Sequence, residues 1–428
     1  MKSWNYLLVA LWSGGLLALA AAPVATPGAP ALTLGDCLAE AARQQPDMLA
    51  ARAAVQKARF QYRAVVADFL PQLSASAGTS RSGGEAADGY QVGNANSIGL
   101  RAEQSIFTGG RDTARLAQSR AALRVAEEQL RLTRAQISAD VKSAFARLLS
   151  AQELRELSAA IAQRRELNVS LVDLRYAGGR EHKGSLLRMQ ALWKQAVADQ
   201  VSARRALAVG RRRLAVAMGW RDPERIVIRG TLTAGRPEGQ PDFPALALQT
   251  PVHCIAVAQE ESARAGVKLA RSEYFPSLSA QGAVNRAGDT WPPEQDSWSV
   301  GVQLSYPFFP GGRQVHDVHA AQAEQRRSAA LRQSQEQQAA VLLEQAFADW
   351  QDAVENERVQ EDFVTASQLR AEVGRSQYGT GLLSFDNWDL IENDLITQQK
   401  ALLSARRDAV LAEAAWEKAQ GVALLPEK

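Results

Sequence analysis

Two cysteines, four histidines and an aromatic content of 6% among 428 residues leave little material for several kinds of chemistry. Cys37 and Cys254 are too few for a disulfide framework. Export would permit one bridge, but the two do not occupy equivalent places in the chain's repeat, described below, and a bridge is not expected. His316 and His319 lie three apart in helical sequence and so share a face. A metal pair would need a further ligand from a neighbouring helix, none is indicated, and both read as solvated. There is no phosphate-binding glycine loop and no serine or cysteine nucleophile motif, so neither catalysis nor a cofactor is expected. The net charge of +3 lacks the basic excess of a nucleic-acid binder. The runs Arg204-Arg205 and Arg211-Arg212-Arg213 read as a solvated helix face.

Long apolar runs are also missing, with one exception. Leu7 to Ala20 is apolar, follows a single Lys2 and carries small residues at Ala18 and Ala20. It is shorter than the roughly 20 residues that cross a bilayer, and predicts a secretory signal over 1–22. Pro23 to Pro30 reads as a loose lead-in. Any membrane contact made by the mature chain must then use strands.

Proline and glycine are absent from Arg111 to Tyr176. Leu116, Leu123, Leu130, Ile137 and Ala144 recur there every seven residues, the coiled-coil period. Such a helix is on the order of 100 Å long. Arg313 to Tyr378 is likewise unbroken by proline, with Ala340, Phe347 and Val354, and Leu343 and Trp350, at sevenfold spacing. Glycine-containing turns follow at Tyr176-Ala177-Gly178-Gly179 and Tyr378-Gly379-Thr380-Gly381, and returning helices over Ser185–Met218 and Ser384–Gln420.

Before each rod the pattern has period two. From Trp298 to Tyr306, Trp298, Val300, Val302, Leu304 and Tyr306 share one face of a strand, and Ser299, Gly301, Gln303 and Ser305 the other. Taken alone, this strand suits a soluble sandwich as well as a membrane barrel with aromatics at the two interfaces. Asn96 to Arg111 repeats the arrangement, and each copy has an upstream partner strand, at Pro71–Ala75 and Pro276–Asn285. Arg81–Ala95 and Arg286–Asp296 read as exposed hairpin tips. Upstream again, Thr33 to Ala67 reads as helix with a break at Pro46 into a short and a longer piece, and Pro251 stands at the matching place of the second copy. The chain thus reads as a tandem repeat: 23–220 with its hairpin at 71–107, a linker over 221–243 in which Ile226-Val227-Ile228 suits a small strand, 244–422 with its hairpin at 276–307, and a tail over 423–428.

Four strands cannot close a barrel, since about eight are needed for even a filled interior, and an open sheet in lipid leaves unsatisfied edges. The strands must close between chains by cyclic symmetry; the sequence leaves two or three copies open. Ser74, Ser76, Ser279, Gln281, Ser299, Gly301, Gln303 and Ser305 suit a water-filled lumen.

The duplicated layout, paired strands and tip motifs resemble the TolC-like outer-membrane efflux protein family, from Leu32 to about Val422. The most specific stretch is Tyr378 to Phe385, which looks like the family's Tyr-x-x-Gly-x-x-Ser turn. The resemblance implies a mainly α protein with a transmembrane β part: a trimer whose twelve-stranded barrel continues into an α-helical coiled-coil barrel reaching through the periplasm. It implies a passive exit duct in the outer membrane, serving efflux or type I secretion. Its partners would be a periplasmic adaptor and an inner-membrane pump. The alternative is a periplasmic coiled-coil adaptor with a soluble β-domain. Tip residues expected to meet the adaptor are Tyr176, Gly178, Gly179, Tyr378, Gly379, Gly381 and Ser384. Many relatives carry an Asp six residues after the tip glycine, where this chain has Asn387 and, in the first copy, Ser185. Asp386 and Asp389, with Glu392 one turn on, are the acidic candidates for a pore constriction.

Overall fold

The computed structural model describes residues 31–86, 89–224 and 226–426. The expected signal segment, the lead-in to Pro30 and the last two residues of the expected tail lie outside these. The elements follow in the order α1 (Leu34–Gln44), α2 (Pro46–Ala67), β1 (Gln72–Ala86), β2 (Gly89–Phe107), α3 (Arg111–Ala177), α4 (Lys183–Met218), α5 (Phe243–Ala247), α6 (Pro251–Ser272), β3 (Ser277–Gly288), β4 (Gln295–Ser305), α7 (Arg313–Thr380) and α8 (Phe385–Gln420).

Local chemistry sets the breaks. Thr33 and Asp36 form a capping box at the start of α1, satisfying two otherwise orphaned N–H groups. A proline ring crowds the backbone of the residue before it and drives that residue out of the helical region. Gln45 therefore leaves the helical region, and its side chain accepts from the Met48 N–H at 2.8 Å while Pro46 opens α2. Pro251 opens α6 in the same way, behind the capping hydroxyl of Thr250. The rods run uninterrupted for 67 and 68 residues, about 100 Å each. Of the heptad positions in α3, Ile137 and Ala144 are buried and Leu116, Leu123 and Leu130 half-buried. The corner from β2 into α3 demands glycine: Gly109 has φ +63°, and a Cβ there would lie 2.6 Å from Phe275 Cβ and 2.7 Å from the Ser272 carbonyl.

Towards the two turns, α4 packs back along α3, α3 against α8, and α8 along α7. Towards the sheet the neighbours are α2, α3, α6 and α7. Gly219 ends α4 against Gln44 and Gln45, where α2 begins, and Gly421 ends α8 against Pro251, where α6 begins. So α2 continues the column of α4, and α6 that of α8. The largest apolar cluster sits at this junction and includes Cys37, Met48, Val141, Phe145, Leu148, Leu214, Met218, Leu403 and Val410. A second holds Phe243, Phe347, Trp350 and Trp416. Cys37 and Cys254 are both free, and Cys37 is fully buried. Burial pushes the Cys37 thiol up to about 12, which makes it inert.

Three details differ from the sequence reading. Ile226-Val227-Ile228 makes a single parallel bridge, Leu32 to Ile228, rather than a strand: the Leu32 N–H donates to Val227 while the Ile226 N–H turns back to the Pro223 carbonyl. The segment 81–95 is not a loop: β1 and β2 stay in unbroken register past Arg81↔Asn94 to Ala86↔Gly89. Glycine and polar residues end neither strand, because backbone pairing needs no apolar face. The second tip shrinks to 289–294, where Pro292 and Pro293 deny the ladder two donors.

Candidate functional site

The sheet is antiparallel throughout in the order β1-β2-β3-β4. Its register aligns Ala75, Leu100, Val284 and Trp298 in one row and Leu73, Ala102, Gly282 and Val300 in the next. The apolar face predicted from one strand therefore runs across all four. Trp298, Val300, Val302, Leu304 and Tyr306 are 78, 80, 66, 66 and 56% exposed. Left largely uncovered by the described residues, these side chains form an open apolar face. The opposite face aligns Ser74, Arg101, Ala283 and Ser299. There Arg101 donates to Gln281 Oε1 at 2.6 Å, and Gln281 donates to Gln303 at 3.4 Å. The apolar band ends on one side at the cross-strand Arg286–Asp296 pair. At the helix corners it ends in exposed Phe69, Phe107, Tyr274, Phe275, Tyr306, Phe308 and Phe309. Of that aromatic belt the sequence reading names Tyr306 alone; the rest stand at element ends, where neither period applies. Trp298 to Tyr306 spans about 27 Å of strand, close to the roughly 25 Å apolar band of a membrane barrel.

At the far end the two turns meet. Tyr378 is fully buried and stacks on Trp388, centroids 4.2 Å apart and planes within 6°, with Phe385 edge-on. The Arg175 guanidinium covers the Tyr378 ring at 4.6 Å and donates to the Tyr378 carbonyl at 2.7 Å. This joins the end of α3 to the end of α7. The Tyr378 hydroxyl donates to Glu181 Oε2 at 3.0 Å, and Ser185 Oγ donates to Glu181 Oε1 at 3.0 Å. Burial, and then the Glu181 carboxylate, raise the tyrosine pKa above its ordinary value. His182 caps α4 by accepting from the Ser185 N–H at 3.2 Å.

A buried ionic layer lies one to three turns along α8. Asp389, 1% exposed, accepts from Arg188 of α4 at 2.8 Å and Asn393 at 3.0 Å, with Arg165 of α3 at 3.6 Å. Glu392, 0% exposed, accepts from Arg375 at 2.8 Å. Burial lowers the Arg165 pKa, while Asp389 and Glu392 oppose the shift.

These positions correct part of the expected constriction. Asp389 and Ser185 are buried, the first neutralised by two arginines and the second held by Glu181; neither presents its side chain to open space. Asp386 and Asn387 are exposed. Of the tip candidates, Tyr378 is buried and structural. Tyr176, Gly178, Gly179, Gly379, Gly381 and Ser384 are exposed. Gly381 is the left-handed cap of α7 with φ +86°, and a Cβ on Gly379 would meet nothing within 4 Å. Arg165, Arg175 and Arg188 escaped the sequence reading because each lies on a helix away from the motif it contacts. His316 and His319 are exposed on α7.

Comparison with known proteins agrees with this geometry. The pyoverdine export outer membrane protein OpmQ of Pseudomonas aeruginosa is 25% identical over 317 residues, 67% of this chain and 63% of OpmQ. The chain's match thus spans less than two thirds of that relative. A crystal structure of a membrane protein from Pseudomonas aeruginosa superposes with a TM-score of 0.82 at 20% identity, covering 90% of this chain and 93% of the other. The open state of the Neisseria gonorrhoeae MtrE outer membrane channel gives 0.78 at 21% identity, covering 91% and 89%. The family model described as "Outer membrane efflux protein" matches residues 37–220 and 255–422, and the chain belongs to the outer membrane efflux protein family.

Proposed function

We propose that the chain is one protomer of a passive exit duct across the outer membrane and periplasm. The observation that carries this reading is the apolar band on an open four-stranded sheet, joined through short glycine-containing corners to two rods of about 100 Å. Strands β1 and β4 leave unpaired edges that lipid does not tolerate. The β4 edge of one copy therefore pairs with the β1 edge of the next. Three copies give twelve strands and an open lumen lined by the Ser, Gln and Arg101 face. Residues 23–220 and 244–422 are duplicated halves about the 221–243 linker, with 1–22 as the export signal and 423–428 as the tail. The exposed tip, Gly379, Gly381 and Ser384 among it, receives a periplasmic adaptor linked to an inner-membrane pump. Asp386 and Asn387 are the polar tip residues available to a constriction. The family supports efflux, and the name of OpmQ supports a small-molecule cargo, over polypeptide secretion.

The adaptor-like alternative requires a soluble β-domain, which would have to cover the band that lies bare here. Membrane fractionation followed by planar-bilayer recording separates the two. A duct is extracted from outer membranes by detergent alone and conducts ions as a closed oligomer. A protein released by salt washing, folded as a monomer and silent in bilayers, would overturn the proposal.

A further inference from the structure

The sheet face opposite the apolar band, which lines the lumen in the duct reading, is almost free of charge. Over Gln72–Ser80, Ala95–Ser105, Ser277–Ala287 and Gln295–Ser305 its side chains are serine, glycine, alanine, asparagine and glutamine, with two exceptions. The exceptions are Arg101 and Glu103, successive residues on this face of β2. A charge on a barrel strand is costly towards lipid, whereas a lumen position tolerates it and tunes selectivity. Barrel stability therefore gives no reason for a lumen emptied of charge around a single pair.

The pair stands clear of its surroundings. The Arg101 and Glu103 side chains are 54% and 49% exposed. Ser74, Ala283 and Ser299 share the Arg101 row, and none of them is tall enough to cover a guanidinium. One nitrogen of that group, Nη2, makes both of its contacts, donating to Gln281 Oε1 at 2.6 Å and to Glu103 Oε2 at 3.3 Å. Among the described residues, Nε and Nη1 of Arg101 and Oε1 of Glu103 meet no partner. A cross-strand link between β2 and β3 is the plain account of Arg101, and it explains the bond to Gln281. A neutral glutamine would serve that link as well. The account leaves Glu103, the unused donors and the uncharged surroundings without a reason.

We infer that Arg101 and Glu103 form a charged station in the barrel that favours solutes carrying both an anionic and a cationic group. The inference rests on the duct reading above and names the class of cargo its barrel suits. Three copies place three guanidiniums in one ring, and three carboxylates in a second ring about 7 Å nearer the helices along the strands. Twelve strands about 4.8 Å apart and tilted about 40° close at a radius of about 12 Å, so both rings reach within about 10 Å of the axis. Three unit charges at that distance change the axial concentration of a monovalent ion about twofold in 0.1 M salt and about fourfold in 0.01 M. On a small ion the two rings act in opposition and nearly cancel. On a solute whose amine lies towards the carboxylates and whose acid lies towards the guanidiniums they add. The unused Nε, Nη1 and Oε1 supply charge-assisted bonds to such a solute, and their exposure to water keeps the hold weak enough to release it.

Planar bilayers holding the purified full-length protein, under potassium chloride gradients, test the station. Arg101→Gln should move the chloride-to-potassium permeability ratio towards potassium by about twofold or more in 0.1 M salt, and Glu103→Gln towards chloride by a similar factor. Arg101→Gln/Glu103→Gln should return near the wild-type ratio, and Arg101→Lys, which keeps the charge, should stay there. The zwitterionic dipeptide of lysine and glutamate, added as the probe, should interrupt the wild-type current more often than that of the double variant. Heat-modifiable gel mobility checks that each variant inserts; if Arg101→Gln does not, the shift in Glu103→Gln decides alone. Unchanged selectivity in the inserted single variants, or equal interruption of wild type and double variant, overturns the station and leaves the duct intact. A wild type silent in bilayers sinks the duct reading, and this one with it.

Discussion

Arg165 and Asp389 illustrate how the tip converts charge into geometry. Their side chains are 4% and 1% exposed, so protein groups replace water around both: Arg165 donates to Asn393 and faces Asp389, which Arg188 also holds at 2.8 Å. Removing one partner of a buried pair strands the other and typically costs about 3–5 kcal/mol, whereas replacing both by apolar groups is often neutral or better. Arg165→Ala should therefore lower the unfolding midpoint and raise hydrogen exchange in the first turns of α8. Arg165→Met/Asp389→Leu should recover most of the midpoint. Equal losses in the single and double variants would show that the pair is not what holds α8 to α3. Glu417 poses the opposite problem. Lys142 serves two carboxylates, Glu413 at 3.0 Å and Glu417 at 2.8 Å, and burial raises the Glu417 pKa despite the lysine. A carboxyl with a raised folded-state pKa holds its proton more tightly when folded. Its contribution is complete below the ordinary carboxylate range and lost as pH rises through the raised value. Melting temperature should thus fall across that window in the wild type and stay flatter in Glu417→Gln. Parallel pH profiles would remove Glu417 as the cause.

In the strands, period two decides which face meets what. Val302 pairs with Ala280 on the apolar face, and Gln303 with Ser279 on the other. A cation at the midplane of a barrel's lipid face costs roughly 2–4 kcal/mol. Val302→Arg should therefore reduce outer-membrane insertion, measured by heat-modifiable gel mobility, while Gln303→Arg should insert normally and change only conductance. Equal insertion defects would refute the assignment of faces. This alternation was legible from Trp298 to Tyr306 alone, as were the rods, because both are long periodic patterns with one dominant contact surface. The ends of β1 and β2 were not legible. Past Thr79 they leave the apolar band, and backbone pairing continues through Arg81, Ser82 and Gly83 with no side-chain period to report it. Asp389 shows a second blind spot: its partners lie 201 and 224 residues away on other helices, so the sequence displayed an acid without its neutralising arginines. The tip glycines were visible as a turn, but not that Tyr378 beside them is the buried hub.

Taken whole, the chain is a column with a membrane face at one end and exposed turns at the other, and its length is set by helices that all end at the same height. Faces repeat every seven residues in such rods, so seven residues can be removed from each of α3, α4, α7 and α8 in one slice without rotating any face. The column would shorten by about 10 Å at 1.5 Å per residue. A slice between the buried ionic layer and the junction core leaves the sheet, that core and the stacked Tyr378–Trp388 pair untouched. The shortened protein should insert, assemble and conduct in bilayers as the full-length one does. If the tip must reach a partner anchored across the periplasm, export should nevertheless collapse in cells, read as accumulation of a fluorescent pump substrate. Removing five residues from each rod instead would turn the faces by about 140° and should abolish assembly itself. The contrast separates length from packing: normal export by the seven-residue deletion would mean that nothing depends on where the tip stands, and would remove the adaptor from the proposal.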